Sequence, residues 1–327
     1  MGLRNRQLGK LKLSVALITY NHERYIEKAL SSILTQETDF DFEIVIGDDG
    51  STDSTQDILL NFADQNPDKI KLVFNERNEG VFSNVYNTVE ACTGKYLAFL
   101  EGDDFWVYPK KLQQQVDFLE SNPEYSGCFH DAQLNWDKDL ELKSNEVFTG
   151  LKTYSQLHHY PEEITTIDLV NRTVLPTSAI MFRNRDFLSE FMVFKEIKYS
   201  LSWALGLILI KNDTYNSGLI KYFNEVWSAH LKHKEGLTVA HKRSLFIESN
   251  IMILNSLRHD PYYRNLTNVI RGSKISEYQF LMDTLENRSI PNKLNLAIRY
   301  FILSIKYAYV KSLKFLFQAR SKATSQP

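Results

Sequence analysis

The sequence predicts an α/β fold, a mostly parallel sheet flanked by helices, with a helical C-terminal extension. Three observations carry this. In the first 105 residues, four apolar runs of strand length alternate with three stretches of helical spacing, the pattern of repeated βαβ units. The strand runs are continuously apolar, as expected where both faces of a sheet are covered. Three of them end in polar clusters, "TYN", "GDDGS" and "EGDD", and in a parallel sheet such ends line one edge, where ligands bind.

The elements follow in chain order. "LSVALITY" is the first strand, and "RYIEKALSSILTQ" then places Ile26, Leu30, Ile33 and Leu34 at helical spacing. "DFEIVIGDDGS" is a second strand running into a turn. "DSTQDILLNFADQ" reads as a helix with Asp53 or Ser54 as its cap, and "KIKLVFN" as the third strand. "GVFSNVYNTVEACTG" reads as a helix closed by Gly94, and "KYLAFLEGDD" as the fourth strand. A further helix, "YPKKLQQQVDFLES", is expected to carry Pro109 in its first turn. Past Asp131 the pattern blurs, and "LNWDKDLELKSNEVFTGLKTYSQLHHYPEE" reads as a polar insertion or loop. "VLPTSAIMFRN" reads as a strand, "LSWALGLILIKN" as a helix or strand, and "LIKYFNEVWSAH" as a paired strand segment. Residues from about 240 onward read as helical.

A chain of 327 residues has room for two domains, or for one large α/β domain with an appendage. With 43% hydrophobic and 24% charged residues it reads as globular, neither disordered nor membrane-spanning. Cys92 and Cys128 make no disulfide framework and have no metal-ligand spacing, so a reducing compartment is expected. No run reaches about 18 consecutive apolar residues, and no apolar signal core follows the basic start. "MGLRNR" lacks the hydroxyl residue of a myristoylation site. The net charge of −2 hides an asymmetry. After Glu286 there are eight basic residues and no acidic one, against 30 basic and 40 acidic up to and including it.

The stretch "FLEGDDFW" delivers Glu101, Asp103 and Asp104 to the end of an apolar strand. Like charges this close repel, and one neutralises unless something positive sits among them. A divalent cation would do so; a solvated acidic turn leading into the next helix is the plainer reading. Asp48 and Asp49, in "DDGS", lack the spacing of a calcium loop, and no Gly-rich phosphate cradle is present. A strand-end Asp can hydrogen-bond a base or ribose, or simply order a turn ahead of a helix. Three polar clusters facing one crevice favour a site over three independent turns.

Taken together, "SVALITYNHERYIEKALSSILTQ", "FEIVIGDDGSTDSTQDIL", "NEGVFSNVYNTVEACTGKYLAFLEGDDFW" and "LPTSAIMFR" resemble the nucleotide-sugar glycosyltransferases of the GT-A fold. The similarity is to the large, inverting, family-two-like group that builds bacterial polysaccharides and lipid-linked glycans. It covers about residues 12–135, and more weakly 170–240. The resemblance implies a catalytic domain over about 10–240, its donor half about 10–135 and its acceptor half about 136–240, followed by a helical extension over 241–327. It implies a donor pocket from Thr19, Tyr20, Asn21, Asp48, Asp49, Gly80, Asn84 and Asp103, with Asp49 reading the base edge. It implies Mn²⁺ or Mg²⁺ on Asp103, Asp104 and Glu101, an E-G-D-D form of the family's acidic motif, joined by His233 of "HLKHKEGLT" as a further metal ligand beside the diphosphate. The expected function is metal-dependent sugar transfer from a nucleotide diphosphate, UDP for preference, to a glycan or lipid-linked acceptor. The setting would be cell-surface polysaccharide such as capsule or lipopolysaccharide.

One position departs from the family pattern. Where an Asp before a Trp commonly serves as general base, Ser202 precedes Trp203, and a serine hydroxyl cannot take that role near neutral pH. Glu196 is the candidate substitute. The alternative is a non-catalytic nucleotide-sugar-binding or scaffold member of a glycan assembly complex. In the tail, residues about 293–322 read as a basic amphipathic helix with aromatics, the kind that lies on an anionic membrane. Docking on the catalytic domain is the other reading of that helix. The expected location is therefore cytoplasmic, peripheral on the inner face of the plasma membrane. No nucleic-acid partner is expected, because no binding motif accompanies the charge.

Overall fold

The structure of the protein, a computed structural model, describes residues 11–136, 152–171, 174–211, 218–240 and 243–286. The chain separates into two compact units, Met1–Lys274 and Ile275–Pro327, and the sheet belongs to the first. β1 (Leu13–Thr19), β2 (Phe42–Asp48), β3 (Ile70–Phe74) and β4 (Tyr96–Glu101) are parallel, in the spatial order β3-β2-β1-β4. The crossovers are the expected helices α1 (Ile26–Leu34), α2 (Thr55–Gln65) and α3 (Val81–Glu90). β2 departs to one side of β1 and β4 returns on the other. The crevice between the ends of β1 and β4 is therefore the topological switch point where such sheets bind ligands.

β5 (Phe105–Trp106) and α4 (Lys111–Ser121) follow. β6 (Tyr125–Trp136), β7 (Glu163–Thr165), β8 (Met181–Arg183) and β9 (Leu219–Lys232) complete a nine-stranded sheet that runs β4-β8-β6-β9, with β5 and β7 both on the far edge of β9. β8 is antiparallel to both neighbours, which makes the sheet mixed in its second half. The remaining helices are α5 (Tyr154–His158), α6 (Thr166–Val170), α7 (Leu188–Phe191), α8 (Leu201–Leu209), α9 (Leu237–Ala240), α10 (Arg243–Leu257) and α11 (Thr267–Glu286).

Alternate residues of the strands feed two cores. Ala16, Val45, Leu97 and Phe99 pack with α3, α8 and α10 on one face. Val15, Leu17, Ile44, Ile46, Ala98 and Leu100 pack with α1 and α4 on the other. Burial on both faces is why these strands carry no polar alternation.

Several expectations are corrected by the packing. Gly94 does not close α3, which ends at Glu90 with Ala91 as its cap. Gly94 instead lets the chain pass against β1, where a Cβ would stand 2.3 Å from the Ser14 nitrogen. Pro109 precedes α4 rather than lying in its first turn, and the Gln36 side chain accepts a hydrogen bond from Leu112 N there. The stretch read as a polar insertion begins as the end of β6 and closes on α5, whose capping box joins Thr153 and Gln156. Its residues 137–151 lie outside those described. "VLPTSAIMFRN" contributes a strand only at Met181–Arg183, after a single 3₁₀ turn. "LIKYFNEVWSAH" lies within one 14-residue strand, bulged where it opposes His130 and Asp131. The basic stretch 293–322 lies outside the described residues. No described helix is long and apolar enough to cross a membrane.

Candidate active site

The loops after β1 and β2 are laced together. Asn21 has left-handed backbone, φ 53°. Its N–H donates to Ser51 Oγ at 2.8 Å, and its side-chain oxygen accepts from Thr52 N at 2.8 Å. His22 N donates to Thr55 Oγ1, Glu23 N to Asp53 Oδ2, and Ser54 N to Glu23 Oε2. Asp48 is fully buried and accepts from Ser51 N, from the Ser51 hydroxyl and from Gln56 Nε2. It holds the loop that it starts.

Asp49 holds the neighbouring one. Its carboxylate is 3% exposed and accepts from Asn75 Nδ2, Glu79 N and Gly80 N, each at 2.9 Å. Asp49 thus orders the 75–80 loop, a structural role beside the base-edge role expected of it. Gly80 needs its glycine, with φ 93°, and has open space where a Cβ would stand. Asn84 Nδ2 donates to the strand-end carbonyls of Gly47 and Thr19, while its buried Oδ1 has no hydrogen-bond partner. Thr19 is buried and Tyr20 exposed at the same edge.

The three carboxylates of "EGDD" occupy three environments. Glu101 is half-buried, its Oε2 buried and without a hydrogen-bond partner among the described residues; burial first, then the charges of Asp104 and Asp103, push its carboxyl well above the usual range. Burial alone would also raise Asp103, but His22, His233 and His230 hold it well below the ordinary value. Asp104 is turned into β9, accepting from Leu231 N at 3.0 Å and facing His230 Nδ1 at 3.1 Å. The metal-binding expectation for Asp104 meets a structural role here: its carboxylate ties the loop after β4 to β9.

Asp103 is the acid that faces open space. Its Oδ2 lies 2.9 Å from His233 Nε2 and 3.8 Å from His22 Nε2. Ligand atoms of the three residues all lie within 4.8 Å of one another, and one carboxylate with imidazole nitrogens is a donor set that fits a divalent transition ion. Glu101 and Asp104 stand outside this trio. His233 was expected, whereas His22 and His230 were not, although His22 stands three residues past Thr19, just after the "TYN" loop. A cavity of about 550 Å³ opens beside Asp103, walled by Arg24, Tyr25, Lys28, Phe105 and Trp136. A second, of about 680 Å³, lies against Tyr160, Tyr222 and Asn224.

On the acceptor side, Ser202 is the second residue of α8, next to Trp203, whose Nε1 donates to Leu169 O. Glu196 is 74% exposed and 3.9 Å from Lys195. Neither is hydrogen-bonded to the acidic cluster among the described residues.

Comparison with known proteins agrees with this geometry. The family model described as "Glycosyl transferase family 2" matches residues 14–183. An uncharacterized protein of Mycobacterium tuberculosis is 34% identical over 177 residues, covering 48% of this chain and 51% of its own. The chain thus spans about half the length of that relative. Staphylococcus aureus TarS 1–349, solved with UDP, has a TM-score of 0.52 at 20% identity, covering 76% of this chain and 66% of its own. A mannosyltransferase of Pyrobaculum calidifontis, solved with GDP-Man and Mn²⁺, has a TM-score of 0.54 at 16% identity, with 92% and 82% covered. At these identities the structural likeness establishes the shared GT-A fold.

Proposed function

The chain belongs to glycosyl transferase family 2, and from that premise we propose that it transfers a sugar, with inversion, from a UDP-linked donor to a glycan or lipid-linked acceptor of cell-surface polysaccharide. One observation carries the reading. The loops after β1 and β2 are hydrogen-bonded to each other, and the loop after β4 meets them at the switch point, where Asp103 lies 3.8 Å from His22 of the β1 loop and 2.9 Å from His233 after β9. TarS with UDP, and the mannosyltransferase with GDP-Man and Mn²⁺, lend the nucleotide class and the cation.

Each residue then has a part. Thr19, Tyr20 and Asn21 form the floor under the nucleoside, and the 75–80 loop held by Asp49 forms its wall. Asp48 keeps the "DDGS" turn in place, and Asn84 fastens the strand ends beneath. Mn²⁺ or Mg²⁺, when bound by Asp103 and His233, supplies Lewis-acid stabilisation of the departing diphosphate. Glu101, its carboxyl raised by burial and by the neighbouring acids, stands behind Asp103, the acid that faces the ligand. Glu196 takes the acceptor proton, since Ser202 cannot. Catalysis belongs to about residues 10–240, and the basic stretch 293–322 seats the enzyme on the inner face of the plasma membrane. Ser202 also supports a second reading, a donor-binding protein that does not transfer.

Thermal-shift measurements against a panel of nucleotide sugars, with and without Mn²⁺, test this. One UDP-sugar should raise Tm in the presence of Mn²⁺ and, with a glycan or lipid-linked acceptor added to take the sugar, release UDP. A raised Tm with no UDP release over days supports the non-catalytic reading, and no shift with any nucleotide sugar contradicts both.

A further inference from the structure

We propose that His22 completes, with Asp103 and His233, a two-imidazole, one-carboxylate cation site that takes first-row transition ions in preference to Mg²⁺. The inference rests on the donor-site reading above. His22 Nε2 and His233 Nε2 both face one atom, Asp103 Oδ2, at 3.8 and 2.9 Å. What stands behind each ring singles the trio out. His22 Nδ1 lies 3.1 Å from Thr19 Oγ1, and His233 Nδ1 lies 3.1 Å from Glu235 Oε2. Both outer nitrogens are engaged, so Nε2 is the inward nitrogen in each ring. Ligating histidines are oriented in this way, with the outer N–H given to an oxygen and the inner lone pair to the ion.

The surrounding residues keep this arrangement in place. A Cβ on Gly102 would stand 2.6 Å from Thr19 Oγ1 and 2.8 Å from His22 Nδ1. The glycine of "EGDD" thus leaves the room that the Thr19–His22 pair occupies. The Tyr25 ring sits 4.7 Å from that of His233 and 6.4 Å from that of His22, so it flanks both ligating rings. A lone acid–histidine ion pair would need none of this second support on His22.

The donor set decides the metal. Mg²⁺ is bound through oxygen and keeps most of its water. Imidazole nitrogens favour first-row ions, with affinity rising from Mn²⁺ through Co²⁺. Two nitrogens and one carboxylate therefore put Mg²⁺ at a disadvantage that a set of carboxylates would not.

The test uses the full chain and the metals alone. Pulsed electron paramagnetic resonance of bound Mn²⁺ should show nitrogen couplings from two imidazoles, falling to one in His22→Asn. Mn²⁺ affinity should fall at least about tenfold in that variant, by analogy with losses at outer-sphere partners, and Mg²⁺ in tenfold excess should fail to displace Mn²⁺ from wild type. His22→Gln and circular dichroism melts guard against misfolding, and the nitrogen count on wild type needs no variant. One coupled nitrogen in wild type, unchanged Mn²⁺ affinity in both folded variants, or half displacement by equimolar Mg²⁺ overturns the proposal. A parallel UDP titration keeps the two readings apart. UDP binding with a His22-independent ion sinks this inference alone, whereas failure to bind UDP under any metal sinks the donor reading.

Discussion

The two halves of the sheet are held at their functional ends by different means. At the ends of β1 and β2 the polar side chains satisfy nearby backbone: Asp48 binds Ser51, three residues on, and Asp49 gathers Glu79 and Gly80 from the next loop. At the ends of β4 and β9 the partners are 126 to 130 residues apart, Asp104 with His230 and Leu231, and Asp103 with His233. The first kind of order is carried by a motif. The second exists only once β9 has been laid along β6 in its bulged register. A change at the first should loosen one loop, while a change at the second should disconnect donor edge from acceptor half.

The largest effect is expected on the acceptor side. General-base assistance is typically worth about 10²–10⁴-fold, so Glu196→Gln should slow single-turnover transfer by that order while donor affinity stays normal. An unchanged rate eliminates Glu196, and a gain in Ser202→Asp would then show that the acceptor hydroxyl is unassisted. Next comes Asp103→Asn. Removing one preorganised contribution to transition-state charge costs about 10²–10³-fold, and the loss here should appear with Mn²⁺ present and be small without it. Equal losses in both conditions would return Asp103 to a structural role.

Asp104→Asn sharpens the comparison because it should do the opposite. A buried carboxylate bonded to a backbone N–H and an imidazole is worth about 1–3 kcal/mol of stability, read by denaturant unfolding, while Mn²⁺ affinity stays within a few-fold of wild type. Loss of Mn²⁺ binding in a well-folded Asp104→Asn would restore the sequence-based assignment.

A separate effect, on stability against pH and not on transfer, concerns Lys111, fully buried beside β5, its Nζ 2.8 Å from Gln115 Oε1 and over the Trp106 ring. Burial pushes its amine down to about 7, against an ordinary value of about 10.4. Between those values the unfolded chain holds a proton that the folded one lacks, so Lys111 makes stability rise with pH, by about 1.4 kcal/mol per unit. Below about pH 7 the folded chain carries the full cost of the buried ammonium. Lys111→Met should remove that alkaline rise and stabilise the protein at neutral pH. Parallel stability curves for wild type and variant from about pH 7 to about pH 10 would contradict it.

Legibility in the sequence followed the same division. β1, β2 and β4 were readable because burial on both faces leaves an almost unbroken apolar run, and β3 at the sheet edge by its place in the strand–helix alternation; turn residues mark the ends. β9 was readable as strand but not as one continuous strand, because its exposed Asn224 and Glu225 break the alternation where it bulges. α5 could have been found from the capping box in "TYSQ". Among the site residues, Asp103 and His233 were placed together through family resemblance, not through spacing. His22 was overlooked because a histidine after a strand carries no signal until Gly102 and Asp103 are folded against it. The structural bond of Asp104 was illegible for a related reason: adjacent acids look equivalent in a string, but in the turn after β4 one meets His233 and the other Leu231.

The central claim is that these strand-end loops form a cation-assisted nucleotide site centred on Asp103. Calorimetric titration of UDP into the full chain, with and without Mn²⁺, and into Asp103→Asn, tests it most directly. The account predicts saturable UDP binding that Mn²⁺ strengthens in wild type and leaves unchanged in Asp103→Asn. UDP binding of equal strength in all conditions, or none in any, would contradict it.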